Sequence, residues 1–167
     1  MYADDADYRT KLRAMTKESG SLVAKAKDEE ADSVYEMYYD FSEPIKKLVG
    51  HRILAINRGE AEKFLTVKIE APRQEILLWL VKQIIGNMKH DSASYLYEAI
   101  TDSYDRLIAP SIEREIRNEL TEKAEEGAIG VFGKNLHQLL MQPPISGQVV
   151  LGWDPGFAHG SKLAVVD

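Results

Sequence analysis

The stretch SIEREIRNELTEKAEEGAIGVFGKNLHQLLM, residues 111–141, decides the fold class. Ile112, Ile116, Leu120, Ala124, Ala128, Phe132, Leu136 and Leu139 recur at intervals of three or four. On an α-helix they form one stripe over about 30 residues, roughly 45 Å of helix. Gly127, Gly130 and Gly133 interrupt it at three-residue spacing, and each costs up to about 1 kcal/mol against Ala in a helix interior. They lie near one face, which reads either as close packing of a neighbouring helix or as a kink. Pro143-Pro144 ends the element. Residues 113–126 are acidic, and their Glu/Arg pairs are expected on the solvated side of the helix.

Outward from this spine the pattern stays mostly helical. Residues 5–17 place Tyr8, Leu12 and Met15 on one face, stopped by Gly20. Residues 30–38 repeat the period with Ala31, Val34, Tyr35 and Tyr38. Ser42 and Pro44 fit the opening turn of a further helix, followed by residues 51–63. Residues 65–69 alternate and predict one short strand ended by Pro72, while 74–85 and 92–108 are amphipathic helices. Beyond the spine, Val149-Val150-Leu151-Gly152-Trp153 and Lys162-Leu163-Ala164-Val165-Val166 are two β-type runs joined by a Gly/Pro turn. An isolated hairpin is marginal in water, so the stop at Asp167 reads as a cut inside a larger α/β domain. The sequence therefore predicts a mainly α, irregular multi-helix array with one long spine helix, one short strand and a C-terminal β-hairpin.

Composition narrows the function classes. The chain has 167 residues, 44% of them hydrophobic and 29% charged, and no Cys. That length suits about one domain with a real core. Disulfide frameworks, thiolate zinc sites and cysteine nucleophiles are excluded. A net charge of −6 argues against a wholly basic coat for nucleic acid. The apolar run Ile76-Leu77-Leu78-Trp79-Leu80-Val81 falls far short of the roughly 18 residues of a membrane span. Asp4, Asp5 and Asp7 stand where a signal peptide would be basic and apolar. A cytoplasmic protein without membrane attachment is the expectation.

Charge is unevenly spread. Residues 45–68 hold Lys46, Lys47, Arg52, Arg58, Lys63 and Lys68 against Glu60 and Glu62, a net +4, leaving −10 on the other 143 residues. Two readings stay open: phosphate contact by Lys46, Lys47, Arg52, Arg58 and Lys63, or a solvated face with intramolecular salt bridges. No metal motif occurs, and His51, His90, His137 and His159 are widely separated. The turn at residues 156–162 misses phosphate-loop spacing by one residue, and Lys162 follows Ser161. No cofactor is called for. Asp154, after a β-run and on a D-P-G turn, is the candidate first carboxylate of a two-metal site. Its nearest sequence partner is Asp167, and a turn aspartate bonded to its own backbone is the alternative.

The segments Tyr38-Tyr39-Asp40-Phe41-Ser42-Glu43-Pro44-Ile45 and His51-Arg52-Ile53-Leu54-Ala55-Ile56-Asn57-Arg58-Gly59-Glu60 resemble the bacterial Tex family of transcription accessory proteins. So do Leu139-Leu140-Met141-Gln142-Pro143-Pro144 and residues 150–167. The resemblance implies two parts: residues 1–145 as the helical central region, and 146–167 as the first hairpin of a truncated YqgF, RNase-H-like domain. Helix-hairpin-helix and S1 RNA-binding modules would lie elsewhere in the longer protein. It further implies RNA or DNA as partner of that protein, with RNA polymerase or the ribosome as further candidates, and no enzyme activity. Where the family carries a basic residue, Thr and Cys at the turn, this chain has Ala158, His159 and Ser161. Asp154 falls at the first acidic position of RNase-H-like nucleases. The family's YqgF domain looks degenerate, so a metal-dependent nuclease or resolvase is the rival reading rather than the expectation.

Overall fold

The computed structural model of this chain describes residues 6–86, 93–143, 145–158 and 160–167. Asp4, Asp5, His90, Pro144 and His159, invoked above, lie outside them. The architecture is mainly α with two small antiparallel sheets. In chain order the elements are α1 (Ala6–Ser19), β1 (Ser21–Ala26), β2 (Asp40–Pro44), α2 (Gly50–Ala61), β3 (Leu65–Glu70), α3 (Arg73–Ile84), α4 (Ala93–Ser103), α5 (Ala109–Leu140), β4 (Val150–Pro155) and β5 (Ser161–Val166). Single 3₁₀ turns occupy Glu36–Tyr38 and Ile45–Lys47, and a π-helical turn, Tyr104–Ile108, joins α4 to α5. The chain packs as two units, residues 1–130 and 131–167.

In the first unit β1 is the centre of a sheet ordered β2-β1-β3. Leu22 lies opposite Ile69 and Ala24 opposite Val67, so these side chains share one face. Leu22, Ala24, Leu65 and Val67 bury that face with Ile56 of α2, Tyr35 and Tyr38. A second core joins Leu12 of α1 to Ile76, Leu77 and Leu80 of α3, Ile100 of α4, and Ile112 and Ile116 of α5. Between α1 and β1 the chain turns at Gly20, whose N–H donates to the Thr16 carbonyl at 2.8 Å. A Cβ there would collide with that carbonyl oxygen and crowd the Glu70 carbonyl at 3.1 Å.

The π turn has a local cause. Pro110 offers no N–H and its ring crowds the preceding turn. Just before it, the Ala109 N–H bonds the Tyr104 carbonyl, five residues back. Asp105, on this widened turn, takes a two-bond grip from Arg73, Nε–Oδ1 2.9 Å and Nη2–Oδ2 2.7 Å.

Three expectations need correction. Residues 30–38 are not a helix: turns and one 3₁₀ turn occupy them, Tyr35 and Tyr38 are buried, and Val34 is 86% exposed. Local side-chain bonds replace helical ones: Asp28 accepts from the Glu30 N–H, Ser33 accepts from the Tyr35 N–H, and the Tyr39 hydroxyl donates to the Ala31 carbonyl. Ser42 and Pro44 do not open an α-helix: both belong to β2, and Pro44 leads only into the 3₁₀ turn Ile45–Lys47. The register and the bonds Ala26 N–Tyr39 O and Ile45 N–Gly20 O turn residues 39, 41, 43 and 45 toward β1. Pro44 therefore places its missing N–H on the free edge, where proline is tolerated. Finally, α5 is long as expected, but its stripe is buried only at Ile112, Ile116 and Ala124, with Leu120 partly covered. Ala128, Phe132, Leu136 and Leu139 are exposed. The helix runs through Gly127, Gly130 and Gly133, where a Cβ would meet no described atom within 4 Å, so close packing does not explain these glycines.

In the second unit β4 and β5 pair Leu151 with Val165 and Trp153 with Leu163. These four share a face and are 62–68% exposed. The connecting loop needs glycine at both ends: Gly160 has φ +77°, and a Cβ on Gly156 would strike the Gly160 carbonyl.

Candidate nucleic-acid interface

The basic window divides by what its charges already touch. Lys46, on the Ile45–Lys47 turn, is ion-paired with Glu18. Arg52 on α2 donates from Nη1 to both carboxylate oxygens of Glu43, at 2.9 and 2.8 Å. Lys47, Arg58 and Lys63 are exposed and form no ion pair among the described residues. Arg58 and Glu62 stand beside the phenol of Tyr35, whose ionisation is pushed up first by burial and then by Glu62, with Arg58 acting oppositely.

Lys63 closes α2 in the left-handed region, at φ +69°. Its N–H bonds the Glu60 carbonyl and the Phe64 N–H the Gly59 carbonyl, the paired bonds of a Schellman motif. The backbone thus holds the Lys63 side chain at a fixed exit. Lys68 lies on β3, on the solvated face of the sheet.

Helix α5 does more than its acidic composition suggests. Glu122, Glu125 and Glu126 are exposed, whereas Glu113, Glu115 and Glu119 make long-range bonds inside the first unit. Glu113 accepts the Ile69 N–H at 2.9 Å, satisfying a donor on the free edge of β3. Glu115 takes Arg9 at 2.7 Å and Arg13 at 3.7 Å, and Glu119 takes Lys17. The Arg9 hydrogen bond holds the Glu115 carboxyl below its usual range. Arg117 forks onto Glu60, with Nη1–Oε1 3.0 Å, and reaches Asn57 Oδ1 at 3.2 Å. Asn57 in turn donates to Thr121 at 2.8 Å, and Thr121 donates to the Arg117 carbonyl at 2.9 Å. Asn57, Arg117 and Thr121 of this circuit line a cleft of about 360 Å³ between α2 and α5, also lined by Pro110, Glu113, Arg114 and Asn118. The sequence held one clue to these contacts: Arg9, Arg13 and Lys17 repeat every four residues on α1, matching Glu115 and Glu119.

Asp154 ends up opposite Lys162, while Val150 pairs with Val166. Asp167 therefore lies five residues along from the Asp154 row, about 17 Å at strand spacing. Metal ions about 4 Å apart need closer ligands, so the hairpin does not bring these two carboxylates together. Among the described residues no group of three or more His, Asp or Glu could hold a metal ion. No helix among them is long and apolar enough to cross a membrane.

Comparison with known proteins agrees along the whole length. Residues 1–132 match the family described as Tex central region-like. YdcI of Bacillus subtilis is 50% identical over 99% of this chain, which spans 23% of that protein. The transcriptional accessory protein Tex of Neisseria gonorrhoeae is 30% identical over 99% of the chain, again 23% of its own length. S1 RNA-binding domain-containing protein 1 of Homo sapiens is 37% identical over 85% of the chain and 15% of its own length. The chain thus spans about a quarter or less of these relatives. Its sequence, and a match covering most of its length, make it a member of the Tex family, carrying that family's central region.

Proposed function

We propose that this chain is a scaffold segment of a nucleic-acid-binding transcription accessory protein, without catalysis of its own. The observation that carries the proposal is the match over 99% of the chain to a relative named transcriptional accessory protein, joined by one named for an S1 RNA-binding domain. The form of α5 supports it. Ile112, Ile116 and Ala124 of α5 are buried in the first unit and the helix continues to Leu140, a form suited to ordering neighbouring modules. Lys47, Arg58 and Lys63 add only modest electrostatic contact, because Lys46 and Arg52 are already neutralised within the fold. RNA is the nucleic acid proposed, RNA polymerase or the ribosome the protein partners, and the cytoplasm the compartment.

The test is a titration of single-stranded RNA against this chain and against the longer protein at two salt concentrations. The longer protein should bind far more tightly. Equal affinity for the two would refute the scaffold role. The rival nuclease reading rests on Asp154 at a strand end. It requires Mg²⁺- or Mn²⁺-dependent cutting by the longer protein that Asp154→Asn abolishes.

A further inference from the structure

We propose that the cleft between α2 and α5 is a subsite for one phosphodiester of a nucleic-acid strand, held by Arg114 and Asn118. It rests on the nucleic-acid reading above for the source of the ligand, and on the cleft alone for its chemistry.

The cleft is about 360 Å³, at the lower end of the range for small-ligand sites. Such sites are mostly apolar, yet Pro110 is the single apolar residue of this lining. Most of the polar groups are committed: Arg117 to Glu60 and Asn57, Thr121 to Asn57 and its own helix, Glu113 to the Ile69 N–H. Arg114 and Asn118 are exposed and have no hydrogen-bond or ion-pair partner among the described residues. They are four residues apart on α5, hence neighbours on one face at about 5–6 Å. A guanidinium and a carboxamide at that distance can both reach oxygens of one phosphate. Arg114, Arg117, Glu60 and Glu113 sum to zero charge, so a singly charged diester suits the site better than a doubly charged monoester. The circuit from Asn57 through Thr121 and Arg117 to Glu60 fixes the wall before any ligand arrives, which lowers the ordering cost of binding.

The experiment titrates the 167-residue chain with a fluorescent single-stranded RNA, a dinucleoside monophosphate and inorganic phosphate, across a salt series. Wild type should bind RNA and the dinucleoside monophosphate more tightly than inorganic phosphate. Arg114→Ala should weaken RNA binding about tenfold and reduce the slope of log K against log salt by about 0.7, the value for one phosphate on a single strand. Arg114→Lys should keep the slope but lose affinity, because the fork is gone and the charge remains. Both variants should unfold like wild type, since Arg114 is exposed and partnerless among the described residues. An unchanged slope in Arg114→Ala overturns the proposal, as does no binding of either diester. Preference for inorganic phosphate also overturns it, assigning the cleft to free phosphate. Equal RNA affinity of this chain and the longer protein would instead sink the scaffold reading and leave the subsite standing.

Discussion

Replacing Arg117 with Ala removes the side chain that ties α5 to α2. Its guanidinium donates to Glu60 through both terminal nitrogens, to Asn57 at 3.2 Å and, at 3.5 Å, to the Val67 carbonyl on the edge of β3. The side chains are 21% exposed for Arg117 and 36% for Glu60. The pair is therefore neither a surface bridge worth about 0–1 kcal/mol nor a fully buried one whose rupture costs about 3–5 kcal/mol. Two screened, charge-assisted bonds at about 0.5–1 kcal/mol each, the amide bond at a similar value and about 1 kcal/mol for stranding Glu60 give about 2.5–4 kcal/mol. Urea unfolding reads this most directly. Trp79, packed edge-on to Tyr8 at 5.4 Å, reports on the first unit once Trp153 is changed to Phe. With a slope of about 2 kcal/mol/M, the midpoint should fall by roughly 1–2 M. Combining Arg117→Ala with Glu60→Ala should cost less than the sum of the singles by about 1–2 kcal/mol. A loss below about 0.5 kcal/mol, or additive singles, would refute the assignment of Arg117 as the link between the two helices.

Other perturbations test separate parts of the fold. Lys63→Gly relieves the left-handed conformation at φ +69° and should stabilise the chain by about 0.5–1 kcal/mol in the same assay; destabilisation would discount the Schellman closure of α2. Gly20→Ala forces a methyl against the Thr16 carbonyl and should cost about 2 kcal/mol or more, read as a lower urea midpoint. Hydrogen bonds from Arg9 and Arg73 hold the carboxyls of Glu115 and Asp105 below their ordinary values of 4.5 and 3.8. Stability from these groups is present above those values and drains away as pH falls below them. Glu115→Gln should flatten that acid limb, and an unchanged limb would mean that the α1–α5 ladder contributes nothing to it.

The helices were legible where a periodic stripe is buried along the length of the element. Residues 74–85 are such a case, with Ile76, Leu77 and Leu80 buried on α3. The strand at residues 65–69 showed itself by alternation, because one face of β3 is solvated. β1 and β2 were hidden. β1 buries Leu22, Val23 and Ala24 consecutively, which leaves no period of two to detect. β2 reads Asp-Phe-Ser-Glu-Pro, a composition that opposes strand formation; pairing with β1 makes it a strand. Tyr35 and Tyr38 mimicked a helical face at three-residue spacing, yet the contacts that bury them come from Ile56, Leu65 and Val67, far along the chain.

The site was harder to read for a related reason. A charge counted along the sequence says nothing about what neutralises it in space. The +4 window loses Lys46 to Glu18 and Arg52 to Glu43, both partners lying outside the window. On α5, Glu115 and Glu119 are paired with α1 and Glu113 with a backbone donor, while Glu122, Glu125 and Glu126 stay exposed. What remains available to a ligand from these two segments is Lys47, Arg58, Lys63 and Lys68 in the window, and Arg114 within the acidic run. Counterion release follows these partnerless cations rather than the formal charge of a segment. The two sets also differ in form. The exposed window cations are isolated point contacts, whereas Arg114 stands over a preformed polar wall. Salt-sensitive attraction should therefore come from both sets, and any preference for diester over monoester from Arg114 on α5.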